Sequence, residues 1–430
     1  MQAYRAALFH LLDDPAKAPD GQAYAYHEDG LLVVEDGRIV ACGDYAELAP
    51  RLGDTPVEDL TGKLITPGFI DLHVHVPQTD IIAAHGAQLL DWLERHIFPA
   101  EAAFADPAVA ADTAKFFVSE LLRNGTTTAL VFASVHKGSV EALFSEALAR
   151  NMRLIAGKIL MDRNAPADLT DTVEQGRRET LELIAEWAGK GRLGYAVTPR
   201  FAITSSDAQL AMAGEIVQAH PDVWMQTHLA ENTAELEAVA ALFPDADDYL
   251  NVYERFGLVG PRSVFAHCIH LDDGAFARMA AAGSSAAFCP TSNLFLGSGL
   301  FNLKAAQAHG VKVGVGTDVG AGTSFSILHT LGEAYKVGQL GQAALDPFQA
   351  FYLATLGGAR ALSLGDRIGN LAPDKEADFL VLDLAATPLL ERRLANTRTL
   401  MEKLFVLSVL GDDRVVERVY LAGVQQHRRG

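Results

Sequence analysis

The sequence predicts an α/β fold: a (β/α)8 barrel of the TIM type, with a small β-sandwich domain formed by the N- and C-terminal segments. Three observations carry this. Eight short apolar, β-branched runs recur through the middle of the 430-residue chain. Ala/Leu/Glu-rich helical stretches separate most of them, the pattern of a parallel sheet buried on both faces. Both ends of the chain return to β texture. The expected division is 1–66 and 376–430 for the β domain and 67–375 for the barrel.

In chain order, "LLVVEDGRIVACG" sets Asp36-Gly37 between two β-rich runs, a hairpin signal. After Pro67-Gly68 the texture changes. The predicted barrel strands are 69–75, 126–134, 153–162, 194–201, 223–229, 263–268, 284–290 and 311–318. "DAQLAMAGEIVQAH" and "TAELEAVAALF" are among the helices between them, and "AAAGSSAA" reads as a helix end followed by a strand start. In the tail, "EADFLVLDL" (376–384) and "RVVERVYLAGV" (414–424) read as strands.

Composition narrows the function classes. An apolar content of 49% supports a large core, and a net charge of −19 argues against nonspecific nucleic-acid binding, which needs Lys and Arg to replace phosphate counterions. Cys42, Cys268 and Cys289 are far apart and form no CxxC, which favours a reducing compartment. The N-terminus has no signal-peptide pattern, and no apolar run reaches the roughly 18 residues of a membrane helix. A cytoplasmic protein with no membrane partner is expected.

Barrel enzymes place catalysis at the C-terminal ends of their strands. "FIDLHVHVPQTD" puts His73 and His75 at the end of strand 1, and alternation sends positions i and i+2 to one face. The pair alone is weak, because 14 histidines supply about half of one such pair by chance. The other strand ends strengthen it: Arg200 ends strand 4, His228 ends strand 5 with Glu231 just beyond, His267 ends strand 6 and Asp318 ends strand 8. Imidazoles and a carboxylate at one mouth suit Zn or Fe(II). Structural roles compete at each position: a core histidine at His228, a first-turn helix residue at Glu231 in "ENTAEL", a turn former at Asp318 and an ion pair at Arg200. His267 competes with His270, and the strand-end position favours His267.

A metal lowers the pKa of water and makes hydroxide available. Asp318 can accept the proton from water, and Glu231 can deliver it to a ring nitrogen and then to a departing amine. This is hydrolytic deamination or amide hydrolysis. The PCxxC signature of the other zinc deaminase design is absent. Two metals would need a bridging ligand, yet "YAVTPRF" has no lysine and Lys158 lies on strand 3, so one metal is expected.

"PGFIDLHVH", "THLAEN", "AHC" and "GTDVGAG" resemble the amidohydrolase superfamily, and "ATLGGARALSLGDRIGNLAPDKEADFLVLD" resembles its closing helix and return to the β domain. "HVHVPQ", "LLDWLERHIFPAE", "MDRNAP", "TPRFAIT" and "THLAEN" are similar to the guanine deaminase family within it. The resemblance covers about residues 65–385. It implies one Zn2+ per chain on His73, His75, His228 and Asp318. It implies catalysis by Glu231, His267 and Asp318. Those three would also touch substrate, with His75, Gln78, Arg200, Phe201 and His228. The implied reaction takes guanine and water to xanthine and ammonia, in a homodimer.

Residue chemistry agrees. Arg is the commonest reader of the guanine O6/N7 edge, Gln78 offers both donor and acceptor, and Phe201 can pack on a purine face. "LLDWLERHIFPAE" is expected to cover the mouth, with Trp92 and Phe98 mainly packing. Two rival readings are an aminohydrolase for 8-oxoguanine, a pterin, a triazine or an adenosine derivative, and a non-catalytic assembly barrel. The retained metal-ligand set disfavours the second.

Overall fold

The computed structural model describes residues 1–19, 21–85 and 89–430. Four strands open the chain: β1 (Gln2–Leu11), β2 (Tyr24–Glu35), β3 (Arg38–Asp44) and β4 (Val57–Pro67). The β2–β3 hairpin turns through Asp36 and Gly37, both at positive φ (48° and 77°), which matches the right-handed twist of the flanking strands.

The barrel follows as β5 (Phe69–His75), β6 (Thr126–Phe132), β7 (Arg153–Gly157), β8 (Ile159–Leu160), β9 (Leu193–Pro199), β10 (Trp224–Leu229), β11 (Ser263–His267), β12 (Ser285–Phe288) and β13 (Lys312–Val315). Their order is β13-β12-β11-β10-β9-β7-β6-β5, with β8 pairing β9. The eight expected strands are present, except that the third breaks at Lys158. That residue is fully buried, and its Nζ donates to Asp171 (2.5 Å) and Glu179 (2.7 Å), so it is committed to an ion triad. The cylinder closes where Asp318 N–H donates to His73 O (2.8 Å) and His75 N–H donates to Val319 O (3.1 Å).

Alternate strand residues fill the interior. Leu72, Leu130, Ile155, Ala196, Trp224 and Val264 pack with Ala359 and Leu362, at the end of the closing helix Leu356–Ala361. Trp224 fixes that plug by donating its indole N–H to Leu362 O (3.0 Å). On β10 the same parity carries Trp224, Gln226 and His228, so the strand that builds the floor also delivers a histidine to the mouth. On β5 simple alternation would put Ile70 and His73 on opposite faces. The β5–β6 register slips by one residue between Asp71 and Val74, and this bulge brings His73 and His75 to the interior above Ile70 and Leu72.

The chain ends in β14 (Phe379–Asp383), β15 (Val416–Leu421) and β16 (Val424–Arg428). These join the opening strands in one seven-stranded sheet, β16-β15-β14-β4-β1-β2-β3. The termini thus form one sheet in place of the expected sandwich, and it curls on itself. Tyr4 on β1 touches Phe379 and Tyr420, on strands two and three places away, with ring centroids 5.2 and 5.3 Å apart. Two helices between β14 and β15, Pro388–Leu394 and Leu400–Leu410, have no counterpart in the sequence reading. The second packs on the barrel helix Ile327–Leu340, with Phe405 4.8 Å from Tyr335. No helix among the described residues is long and apolar enough to cross a membrane.

Candidate active site

The strand ends aim the polar side chains. His73 and His75 close β5 after the bulge, and Arg200 directly follows β9. β11 and β13 need a backbone turn to do the same. His267 and Asp318 take left-handed φ values of 70° and 51°, a strained conformation typical of functional sites. Asp71 supports this corner by accepting from Thr317 N (3.0 Å), Thr317 Oγ1 (2.5 Å) and His73 N (3.2 Å).

Three donor atoms form a triangle. His73 Nε2 and His75 Nε2 are 3.1 Å apart, and Asp318 Oδ1 lies 3.2 and 3.3 Å from them. A tetrahedral ion with bonds of about 2.1 Å has ligand–ligand edges of about 3.4 Å. His228 joins His73 and His75 in one group of possible ligands, and its ring lies 4.8 and 5.3 Å from theirs. Its Nδ1–H donates to Arg200 O (2.7 Å), which leaves Nε2 with the lone pair, the arrangement a ligand needs. Phe132 packs at 4.6–4.9 Å from all three imidazoles and walls them from behind. The His/Asp set therefore fits a divalent metal ion.

Burial holds these histidines neutral: it pushes His75 down to about 3 and lowers His73 and His228 as well. Neutral imidazole is the form that binds metal. The two carboxylates beside them diverge. Burial and the charge of Asp318 push Glu231 up to about 8. Burial would raise Asp318 too, but its close contacts with His73 and His75 hold it well below the carboxylate range. His267 stands between them, with Nε2 3.5 Å from Glu231 Oε2 and 3.8 Å from Asp318 Oδ2. Its Nδ1–H donates to Asn293 Oδ1 (2.9 Å), which fixes the ring with Nε2 turned toward the two carboxylates.

A narrow cavity opens around this cluster. His75, His228, Glu231, His267 and Asp318 line it, as do Gln78, Arg200 and Phe201, so the pocket gathers every sequence-predicted site residue except His73, which sits behind as a metal-site donor. His270 is elsewhere engaged, with Nε2 on Ser298 O at 2.9 Å. Glu231 is not in a helix: Asn232 is the N-cap of Thr233–Leu242, and Glu235 completes the capping box. The "ENTAEL" signal thus belongs to Asn232 and Glu235. Trp92 lines the cavity with Leu89 and Leu93, so the start of the 89–101 stretch forms part of the pocket wall, while Phe98 packs in the core.

Three contributors escaped the sequence reading. Ser298 Oγ donates to Glu231 Oε1 (3.1 Å), Asn293 orients His267, and Glu101 Oε1 accepts from Arg200 Nη1 (2.5 Å). No local pattern marks Ser298 or Asn293. Glu101 could have been singled out as the acid closing "LLDWLERHIFPAE".

The Amidohydrolase family profile matches residues 64–425. The chain is 52% identical to the guanine deaminase of Escherichia coli over 96% of its own length and 94% of that protein's. The solved structure of E. coli guanine deaminase superposes with a TM-score of 0.97 at 50% identity, covering all of both chains. A guanine deaminase from C. acetobutylicum, solved with guanine bound in the active site, superposes with a TM-score of 0.90 at 28% identity over 99% of each chain. The chain belongs to the amidohydrolase family and, within it, to the guanine deaminases.

Proposed function

We propose that this enzyme hydrolyses guanine to xanthine and ammonia, with one zinc ion held by His73, His75, His228 and Asp318. The observation that carries the reading is the triangle of His73, His75 and Asp318 donor atoms, with edges of 3.1–3.3 Å, beside a pocket lined by Arg200 and Glu231. Similarity to guanine deaminases along almost the whole chain supports the substrate.

When bound, zinc supplies the Lewis acidity that makes water nucleophilic near neutral pH. Asp318, ionised, takes the proton from water as the oxygen joins C2. Glu231, protonated at neutral pH, donates to the neighbouring ring nitrogen. The C2–N bond then breaks: the amine leaves as ammonia with the proton that Asp318 collected, and the remaining hydroxyl proton passes to Glu231 as the C2 oxygen becomes a carbonyl. His267 Nε2 faces both carboxylates and provides the route between them.

Recognition rests on donors. Arg200 has only N–H groups, which suit the oxygen at C6. Gln78 Oε1 accepts from Gly320 N–H (3.1 Å), which turns its NH2 away from Gly320, and Gln78 lines the same pocket as Arg200. Adenine carries an amine where guanine has O6, and two donors would then face each other. A site built for one hydrogen-bond pattern can reject the other by a factor of about 10⁴. The test is product analysis with metal-replete protein. Guanine should yield xanthine and ammonia in equal amounts, and adenine should be a far poorer substrate. Equal turnover of adenine, or none of guanine, would refute the reading.

A further inference from the structure

Glu101 is fully buried, in the short helix Phe98–Ala102 that follows the pocket-lining residues Leu89, Trp92 and Leu93. Its Oε1 accepts from Arg200 Nη1 at 2.5 Å, and Arg200 is itself only 2% exposed. The Glu101 carboxylate lies outside the pocket lining, behind the guanidinium that faces the cavity. Its backbone is also pinned, because Ser134 Oγ donates to Glu101 O (2.8 Å). The carboxylate is therefore anchored on the barrel, just beyond the end of β6.

A buried ion pair is a poor way to gain stability, since two apolar groups of similar volume would serve as well or better. What the pair supplies is geometry. A guanidinium presents five N–H groups in a rigid plane, and fixing one of them on Glu101 sets the direction of the rest. The same residue's main chain works on the other side of the site, because Arg200 O accepts from His228 Nδ1 (2.7 Å). Arg200 thus joins the metal cluster to the base-reading wall, and Glu101 sets the orientation of its side chain. The pair is also neutral, so the pocket offers a strong donor without a net positive charge.

We propose that Glu101 is a positioning residue for substrate specificity: it holds the Arg200 guanidinium so that its remaining N–H groups meet the oxygen at C6 of guanine. The inference rests on guanine as substrate and Arg200 as its reader. The experiment compares wild type with Glu101→Gln, which keeps the volume but removes the charge that grips Arg200. Two ligands are used: guanine, and 2-aminopurine as a competitive ligand with the C2 amine but no oxygen at C6.

Misplacement of a recognition group by about 1 Å costs about 10²-fold, so kcat/KM for guanine should fall on that scale. The inhibition constant of 2-aminopurine and the metal content should stay at wild-type values. Glu101→Asp keeps the charge on a shorter arm, and should show the same split to a smaller degree, so the test survives if one variant fails to fold. Unchanged guanine kcat/KM, or equal losses for both ligands, would overturn the proposal. A wild-type enzyme inactive on guanine would overturn the substrate reading and this inference with it, whereas active wild type with no split overturns only the role of Glu101.

Discussion

Glu231 and Asp318 stand within 4 Å of the same histidine nitrogen, yet their surroundings drive them to opposite protonation states. Burial and the charge of Asp318 raise Glu231, whereas close contact with His73 and His75 holds Asp318 low. Such a split assigns acid and base roles to a pair of carboxylates. Glu231→Gln should therefore keep the fold and the metal while lowering kcat by about 10²-fold or more, the scale of lost general acid–base catalysis. Steady-state kinetics with elemental analysis checks this, and near-normal turnover with metal bound would remove Glu231 from the mechanism. At this scale the sequence was legible wherever a polar residue ended an apolar strand, as with His73, His75, His228 and Asp318. The partnerships of Glu101, Asn293 and Ser298 were not legible, although Glu101 itself closes a recognisable stretch. These act across 99, 26 and 67 residues of chain, and no periodicity records a contact of that kind.

Between residue and fold, the turn after β10 shows how one element holds the proposed acid Glu231. Glu235 is fully buried and accepts from Glu231 N (2.8 Å), Asn232 N (3.1 Å) and Tyr249 Oη (2.8 Å). Glu235→Ala strands all three donors and should destabilise the protein by about 1–3 kcal/mol in denaturant unfolding. Turnover should fall as well, because the main chain of Glu231 loses its anchor.

The terminal sheet allows a pH test. His10 on β1 is 5% exposed, its Nδ1 has no partner, and burial lowers its pKa to about 4 from 6.5. Its folded-state pKa lies below the unfolded value, so the unfolded chain binds more protons in that window. This contribution is therefore intact above about pH 6.5 and is lost as pH falls toward 4, by up to about 3 kcal/mol at 1.4 kcal/mol per unit. His10→Leu should lose less thermal stability than wild type between pH 7 and 4.5; parallel losses would contradict the assignment. Elements were legible where pattern was strong, as in the Asp36-Gly37 hairpin and the β5 run. The break at Lys158 was not, because it answers to Asp171 and Glu179 on neighbouring segments. Nor was the β5 bulge, which depends on register with β6.

Across the whole molecule, the two ends of the barrel do different work. At the start of the strands, Arg192 bonds Glu376 and Asp378 (2.8 Å each), and Arg153 pairs with Glu376, tying the chain that leads into β14 to the floor of the barrel. At the other end the strand termini line the candidate active site. The barrel and the terminal sheet were both legible from the alternation of β and helical texture. The closed sheet order and the helices Pro388–Leu394 and Leu400–Leu410 were not, since they depend on long-range packing.

The central claim is that one metal ion, held by three histidines and one aspartate, drives guanine hydrolysis. Metal-free protein should be titrated with zinc while ammonia release from guanine is followed. Activity should rise linearly and level off at about one equivalent per chain, as expected for a site with four protein ligands and no bridging group. A plateau that needs two equivalents, or full activity without metal, would contradict the account.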